Sequence, residues 1–476
     1  MLPQGRFARS VAVLAGGAAL GQALSLLAAP FITRLYTPED FGVLAVYASF
    51  LGIFSVIAGL RYELAIPLPE DDKDALTVLL LTLMVVLFSS ALVGLGTWLF
   101  GSQVVRLANA RALEPYLWLL PFGVLMVGSY QAFNYWAVRK KTFSQLARTR
   151  LNQGLGSVST QLALGLFQVG PIGLILGQVV GQGAGVGTLA RAAHLSAPAA
   201  LDVQPRKLYV QAKRYKEFPL YTTWSGFANT LSAQLPTLLF SALFAPEIAG
   251  LYLFANRILN APLGLVGQAI GQVFHGDAAT ARRSDTLAAE TLDAFKKLLR
   301  LGVGPLALFA VVGPEVFEVA FGDSWRIAGV YAQWLTPWLI IVFITSPLST
   351  LVSVLEYQAQ GLVFQLVLLG ARALSIVVAA SLGGPLLAVA LYAVTGFVIW
   401  LIFTFWLMAK VGVALTDWLT PFLQEILLLA PLLAGLILIK VGAAVFIPSY
   451  AATGTFGAAG LIGIIIVLWR VLPAWK

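Results

Sequence analysis

The sequence has no cysteine, two histidines and little charge, since acidic and basic side chains make up 11% of its 476 residues. The lack of cysteine excludes disulfide bonds and thiol chemistry. His194 and His275 fall in separate predicted loops, and the sequence contains no cluster of metal ligands, phosphate-binding glycine loop or nucleophile triad. We therefore expect no cofactor, no metal and no enzymatic active site.

Apolar residues are abundant instead, at 59% of the chain. A soluble protein of this length would carry about 25% charged residues, and this chain cannot bury so much apolar surface inside itself. Apolar runs of ~20 residues, the length that crosses a bilayer core, follow one another throughout. We predict an all-α polytopic membrane protein with fourteen spans. The spans lie near 10–35, 40–62, 75–100, 116–138, 151–169, 171–193, 219–244, 247–271, 298–320, 328–352, 361–382, 385–409, 420–440 and 453–472.

The basic residues indicate how these spans are oriented, because Lys and Arg are held on the cytoplasmic side of a membrane. With the N-terminus inside, 23 of the 30 Lys and Arg residues fall in predicted inner segments and five in outer ones. This distribution predicts that both termini are cytoplasmic. It also accounts for the net charge of +9 without a nucleic-acid partner.

Two segments are less regular. The fifth span carries five Asn, Gln or Ser residues between positions 151 and 161, and so polar a helix is stable in a membrane only where it faces other helices or a water-filled cavity. The segment 284–300 leaves two alternatives open. It is either a short amphipathic helix on the inner membrane surface or the beginning of span nine.

An eight-residue motif occurs twice, as LYTPEDFG at 35–42 and as LFAPEIAG at 243–250, 208 residues later. Both copies are predicted outer turns, between spans one and two and between spans seven and eight. Proline suits the first position of the new helix, glutamate favours its positive end, and glycine lets it pack closely on a neighbour. Thr37 can cap the first copy, whereas Ala245 cannot cap the second.

The matching positions of the two copies favour a duplication over a common turn that arose twice. Six spans separate the copies, so both point the same way through the membrane. Parallel halves of this kind are a transporter architecture, with the substrate site between the halves.

The turn TPEDFG and the following segment GLRYELAIPLPEDDKDA (59–75) resemble the start of the bacterial Wzx-type polysaccharide flippases. These belong to the multidrug/oligosaccharidyl-lipid/polysaccharide exporter superfamily. The resemblance implies two parallel six-helix lobes arranged in a V, as in MATE transporters, at 1–200 and 201–410, with two spans appended at 411–476. It further implies that spans one, two, seven and eight line the central cavity.

The resemblance also implies a function. The protein would flip an oligosaccharide linked to undecaprenyl pyrophosphate from the inner to the outer leaflet of the bacterial cytoplasmic (inner) membrane by alternating access. The product would feed the synthesis of a surface polysaccharide such as O-antigen, in lipopolysaccharide, or exopolysaccharide. Its partners would be the lipid-linked oligosaccharide, membrane lipid and a coupling ion, H+ or Na+, if transport is coupled.

Two arginines, Arg257 and Arg372, lie near the middle of predicted spans eight and eleven. An arginine there costs at least ~2.5 kcal/mol and usually faces a partner or a water-filled cavity. Because the guanidinium matches phosphate oxygens with two parallel hydrogen bonds, we expect both arginines to bind substrate. Asn256 and Asn260 beside Arg257 offer amides for sugar hydroxyls. A structural arginine bonded to backbone carbonyls is the alternative for each.

Arg34 and Arg61 lie at opposite ends of spans one and two. Both are candidate substrate-binding residues at the outer and inner mouths of the cavity. Ordinary snorkelling of the charged side chain to the membrane surface is the alternative explanation.

Three other functions stay open. A cation-coupled small-molecule antiporter on the same fold would need a carboxylate in its cavity, and spans one to eight have no Asp or Glu in their interiors. A polymerase or ligase of lipid-linked glycans would need a large outer domain, whereas the longest outer segment is near 101–115. A lipid II flippase would share both the fold and the anionic substrate.

Overall fold

The computed structural model of the protein describes residues 4–196, 204–281 and 286–446. In these ranges the chain forms fifteen α-helices joined by short turns of 3₁₀ or π-helix, with no β-strand, so the all-α prediction is confirmed. The α-helices are α1 (Gln4–Leu35), α2 (Pro38–Ala58), α3 (Asp72–Leu107), α4 (Leu119–Arg139), α5 (Phe143–Leu166), α6 (Ile172–Ser196), α7 (Pro205–Arg214), α8 (Thr223–Leu243), α9 (Pro246–Ala281), α10 (Leu287–Phe321), α11 (Arg326–Thr345), α12 (Leu351–Val354), α13 (Gln358–Leu382), α14 (Pro385–Val411) and α15 (Leu415–Phe446).

The long helices follow the predicted spans. Each of the first thirteen predicted spans overlaps one long helix, and the fourteenth, 453–472, lies outside the described residues. Nine helices of the described ranges are long and apolar enough to cross a membrane. The chain is therefore a multi-pass membrane protein, and its more polar helices need partners inside the fold.

The polar helix α5 finds such partners on α6. Asn152 Nδ2 donates a hydrogen bond to Thr188 Oγ1 at 2.9 Å, and Gln153 Nε2 donates to Gln182 Oε1 at 3.0 Å. Bonds between helices satisfy polar groups that lipid cannot solvate. This is one of the two surroundings in which we expected so polar a span to be stable.

The segment 284–300 does not form a separate surface helix. Its described part belongs to α10, which runs without a break from Leu287 to Phe321. The apolar face that suggested a membrane-surface helix is buried inside the protein, with Thr291, Phe295 and Leu298 all fully enclosed. The amphipathic pattern therefore reflects packing of this face against neighbouring helices. The segment is the beginning of predicted span nine.

Contacts divide the chain into two compact units, Met1–Gly250 and Leu251–Lys476. In the first unit α1 packs on α5, α5 and α4 pack on α6, and α2 packs on α4 and α8. In the second unit α11 packs on both α10 and α14, and α13 packs on α14. The three-part division of the chain at residues 200 and 410 rests on the family resemblance and the repeat, and it stays a prediction.

The first of the two repeated turns is closed by its own side chains. Thr37 Oγ1 accepts a hydrogen bond from the Asp40 backbone N–H at 3.2 Å, and Asp40 Oδ2 accepts one from the Thr37 N–H at 2.9 Å. This reciprocal pair satisfies two of the free N–H groups at the start of α2. The predicted cap is confirmed, and Asp40 is a partner that we had not assigned.

The two repeated turns pack against each other through their glycines. A Cβ added to Gly42 would stand 2.2 Å from the carbonyl oxygen of Pro246, and one added to Gly250 would stand 2.5 Å from the carbonyl oxygen of Pro38. Each glycine therefore fits the proline of the other copy. The expectation that glycine allows close helix packing is confirmed, and the neighbour of each turn is the other turn.

Candidate transport site

Helix α9 carries a polar face at the height where the sequence places the middle of a span. With 3.6 residues per turn, Asn256, Arg257, Asn260 and Gly264 fall within about 100° of the helix circumference. Arg257 and Gly264 are exposed on this face, and the two asparagines are partly exposed. The opposite face of the helix is apolar and buried, so α9 is amphipathic. It covers predicted span eight, although it is not one of the nine helices of the described ranges that are apolar enough to cross a membrane.

The guanidinium group of Arg257 has no hydrogen-bond or ion-pair partner among the described residues. A charged group that faces lipid costs at least ~2.5 kcal/mol. An exposed guanidinium beside two amides and a glycine is therefore better suited to water or an anionic ligand than to lipid. The structural alternative, an arginine bonded to backbone carbonyls, gains no support from the described part of the chain.

The two asparagines are brought together by the helix. Asn260 Nδ2 donates to Asn256 Oδ1 at 2.7 Å and to the Asn256 backbone oxygen at 2.9 Å. Each amide has one polar atom outside this pair, the Asn256 Nδ2 donor and the Asn260 Oδ1 acceptor. One donor and one acceptor beside a cation form a short polar patch that suits the hydroxyl groups of a sugar.

Arg372 on α13 has a different environment, because it lies over aromatic rings. Its Cζ atom is 4.1 Å from the ring centre of Trp338 and 4.8 Å from that of Tyr392. Gly396 makes room for it, since a Cβ there would stand 2.5 Å from Arg372 Nη2. The aromatic faces hold the cation electrostatically, and this structural role was not predicted from the sequence.

Some polar atoms around Arg372 nevertheless lack hydrogen-bond partners. Arg372 Nε and Nη2 and the Trp338 indole N–H are buried without a hydrogen-bond partner. Tyr252 on α9 donates its hydroxyl proton to Tyr392 at 3.1 Å, so the helix that carries Arg257 also supports the Arg372 site. The second unit thus contains two cationic positions, one exposed and one stacked on aromatic rings.

Arg34 and Arg61 belong to the first unit and are about 30 Å apart along the length of α2. Arg34, at the end of α1, is exposed and donates from Nη1 to the Pro30 backbone oxygen at 2.6 Å. Arg61 follows α2 and points to α8, where a Cβ on Gly226 would stand 2.4 Å from its Nη2. Their roles at the two mouths of a cavity stay predictions.

A buried carboxylate next to Arg61 was missed by the sequence analysis. Glu63 lies in the 3₁₀ turn Tyr62–Ala65, is 2% exposed, and places Oε1 3.8 Å from Arg61 Nη1. Burial raises the pKa of the Glu63 carboxyl above its ordinary value, while its own backbone N–H and the Arg61 charge oppose the shift less strongly. The predicted span two ends at residue 62, so the sequence alone puts Glu63 in a loop, where a carboxylate is normally solvated.

The described residues contain no group of three or more histidine, cysteine or acidic side chains placed to hold a metal ion. The features that remain are cationic or amide side chains on long helices and two buried acids. Glu63 lies in a connecting turn, and Glu315 on α10 is paired with Lys440 at 2.9 Å. Together with the nine apolar helices of the described ranges, they give a multi-pass membrane protein with polar side chains inside its fold, a combination typical of transporters.

Comparison with known proteins gives the family. Residues 31–329, more than half of the chain, match the model of the family described as polysaccharide biosynthesis protein, and the chain belongs to this family. It is 25% identical over 355 residues to the succinoglycan biosynthesis transport protein ExoT of Rhizobium meliloti, a match that covers 71% of this chain and 67% of that protein. The resemblance to polysaccharide flippases drawn from the two sequence segments is thereby confirmed.

Solved structures share the fold. The lipid II flippase MurJ in its inward closed conformation superposes with a TM-score of 0.72 at 12% sequence identity, over 97% of this chain and 98% of that chain. An inward-facing multidrug resistance MATE family transporter of the MOP superfamily has a TM-score of 0.65 at 12% identity, over 83% of this chain and 94% of that chain. At such low identity these likenesses concern the fold alone.

Proposed function

We propose that the protein flips an oligosaccharide linked to undecaprenyl pyrophosphate from the inner to the outer leaflet of the bacterial cytoplasmic membrane by alternating access. The observation that carries the proposal is the exposed, unpartnered guanidinium of Arg257 on the polar face of α9. The family supports the glycan part of the substrate, and the guanidinium supports the pyrophosphate part.

The charge on the polar face around Arg257 favours an anion over a cation. None of the residues that share the polar face with Arg257 is acidic, since they are asparagines and glycine. A guanidinium makes charge-assisted hydrogen bonds of about 1.5–3 kcal/mol each to phosphate oxygens. The free amide atoms of Asn256 and Asn260 would bind the first sugar, and Arg372 would add a second positive position.

The printed name of ExoT makes that protein a transporter in succinoglycan biosynthesis, which supports export of a surface glycan by the present chain as well. The inner membrane, cytoplasmic termini and entry past Arg61 with exit past Arg34 belong to the same proposal. They rest on the distribution of basic residues in the sequence.

Two rival functions share the fold, a lipid II flippase and a cation-coupled small-molecule antiporter. The flippase of our proposal and a lipid II flippase are distinguished by the glycolipid that accumulates in host cells lacking the protein. An incomplete surface-polysaccharide repeat on its lipid carrier is the expected result, and accumulation of lipid II would replace our proposal with the rival. The second rival would transport without a lipid-linked glycan and would leave both glycolipids unchanged.

Substitution of Arg257 tests the binding role directly. Arg257→Lys keeps the positive charge but loses the two parallel hydrogen bonds that a guanidinium makes to phosphate, so the amount of surface glycan should fall without disappearing. Arg257→Ala removes both and should nearly abolish export, and Arg257→Glu should be at least as damaging because it repels phosphate. The measurements are membrane-protein level and surface glycan in the same cells.

A matched control is Arg106→Ala. Arg106 is an exposed arginine near the end of α3. Its side chain donates one hydrogen bond, from Nε to the Ser102 backbone oxygen at 3.0 Å. Its loss should leave export unchanged. Full export by a well-expressed Arg257→Ala protein would refute the cationic site. Loss of the protein from the membrane in that variant would instead show that Arg257 is structural.

A further inference from the structure

The segment between α6 and α8 is strongly basic. Five Lys and Arg residues fall within positions 206–216, and Glu217 is the one acidic residue between 204 and 224. Four of the five basic residues lie on α7, a helix of ten residues that begins at Pro205 and ends at Arg214. The proposed binding of phosphate by Arg257 does not involve this charge, which therefore needs a separate explanation.

One face of α7 is fixed to the protein. Gln211 of α7 and Tyr215, which directly follows the helix, are buried, and Tyr215 joins the apolar cluster that contains Trp136 of α4. The Tyr62 hydroxyl donates a hydrogen bond to the Ala212 backbone oxygen at 3.2 Å. These contacts hold α7 in place without a ligand, so its opposite face is free to meet one.

The exposed face of α7 combines cations with an aromatic and an apolar side chain. Residues at positions i, i+3, i+4 and i+7 lie on one side of a helix, and here these residues are Arg206, Tyr209, Val210 and Lys213. All four are exposed, Tyr209 to 69%. The side chains of Arg206 and Lys213 have no hydrogen-bond or ion-pair partner among the described residues. The charge and the apolar surface of this face are therefore both available to a partner.

Aromatic side chains continue this surface beyond α7. Tyr221 is 72% exposed in the π-helical turn Phe218–Thr222, and Trp224 is 64% exposed in the first turn of α8. Tyrosine and tryptophan prefer the headgroup layer of a bilayer, because each ring is apolar with one polar group. Exposed rings at this position indicate that the segment lies against the membrane surface.

The chemistry of the exposed face fits an anionic phospholipid. Each Lys or Arg near an anionic membrane surface strengthens association about fivefold, and apolar side chains on the same helix enter the boundary between headgroups and acyl chains. An acidic soluble protein would account for the cations. It would not account for exposed aromatic rings where predicted span seven begins.

We propose that α7 is a binding site for anionic phospholipid headgroups of the inner leaflet. Arg206 and Lys213 bind the phosphates, and Tyr209 and Val210 enter the layer beneath them. The contact attaches to the membrane surface the segment through which the chain passes from predicted span six to predicted span seven. The proposal requires only that the chain is a membrane protein, so it stands apart from the flippase function.

The test makes use of the lack of cysteine in the sequence. Val210→Cys gives the full-length protein a single thiol, and a fluorophore attached there reports which lipids lie next to α7. The labelled protein is placed in phosphatidylcholine vesicles with a small, equal fraction of spin-labelled phosphatidylglycerol or spin-labelled phosphatidylcholine. We expect quenching that corresponds to an enrichment of phosphatidylglycerol of at least about fivefold, the effect of one such charge. The enrichment should fall in 1 M salt, where the Debye length is about 3 Å.

Removal of charge tests the assigned residues. Arg206→Gln combined with Lys213→Gln should bring quenching by the two spin-labelled lipids to nearly the same level. The matched control is Lys297→Gln combined with Arg300→Gln, which removes two exposed basic residues from α10. Both double variants lose two positive charges, so enrichment that persists only in the control shows that the effect is local to α7.

Three results would overturn the proposal. The first is equal quenching by both lipids before any charge is removed, and the second is enrichment that survives Arg206→Gln with Lys213→Gln or is lost in both double variants. The third is quenching by neither lipid, which would place the face in the cytoplasm and favour an acidic protein as its partner. None of these measurements depends on transport, so a failure of the flippase function would appear separately, in the Arg257 variants.

Discussion

The contact between the two repeated turns allows a stability prediction. Gly42→Ala adds a methyl carbon 2.2 Å from the Pro246 carbonyl oxygen, and ordinary contact begins at 3.4 Å, so the turns must separate by about 1.2 Å. Gly250→Ala meets the Pro38 carbonyl oxygen at 2.5 Å. Backbone atoms at helix starts cannot move aside as a side chain can, so both changes should be destabilising.

The expected loss of unfolding free energy follows from two opposed effects. Overpacking of this kind costs about 1–3 kcal/mol, and replacement of glycine by alanine within a helix returns up to about 1 kcal/mol. We expect each single variant to lose about 1–2 kcal/mol. The double variant should lose less than the two losses added together, because one separation of the turns accommodates both methyl groups.

The assay is unfolding of the detergent-purified protein, with all variants compared under one set of conditions. Gly96→Ala is the control, since Gly96 lies within α3 and has no atom within 4 Å of an added Cβ. It should be neutral or stabilising. The reasoning is refuted if Gly42→Ala is as stable as Gly96→Ala, or if the losses of Gly42→Ala and Gly250→Ala simply add.

Two further predictions concern charge. Arg372→Lys keeps the positive charge but loses the flat stacking on Trp338 and Tyr392, so it should lower stability by about 0.5–2 kcal/mol, and loss of export at unchanged stability would show that Arg372 binds substrate instead. The raised pKa of Glu63 means that the folded protein holds its proton over a pH range in which the unfolded chain has released it. Wild-type stability should therefore fall, relative to Glu63→Gln, as pH rises from the ordinary glutamate pKa through the raised one, and should not change further above it. Thermal unfolding of both proteins across pH measures this, and a constant difference between them would contradict it.

The approximate positions of the first thirteen spans were predictable from the sequence, because the bilayer sets the length of an apolar run. Their limits were less predictable, since helices such as α3 and α10 extend beyond the apolar runs. The Thr37 cap was predictable for a similar reason, since the residues that make it are adjacent in the chain. The polar side chains of α5 could be predicted to need partners, but which helix supplies them depends on tertiary packing. The same holds for Thr291 and Phe295 in α10, whose amphipathic pattern fits a membrane surface as well as a protein interior.

The candidate site was less predictable. Arg257 could be recognised because an arginine within an apolar run is costly wherever it points. The aromatic rings around Arg372 come from α11 and α14, and which side chains of these helices reach the guanidinium depends on tertiary packing. Glu63 was missed because its burial depends on two left-handed residues before it, Leu60 and Arg61, and neither residue type favours a positive φ. The adjacent charges in Arg-Tyr-Glu, between two apolar segments, were the available signal.

The reciprocal contact of Gly42 with Pro246 and of Gly250 with Pro38 has the form of an isologous interface, in which one surface patch meets its own copy. If both turns descend from a single ancestral turn, that ancestor's glycine would have met the proline of a second, identical chain, and the half-length ancestor would have been a symmetric dimer. Fusion of two such genes would release each copy to change separately, but the shared contact would still couple their substitutions. A bulkier residue at one glycine should therefore occur in relatives together with a change at the opposite turn.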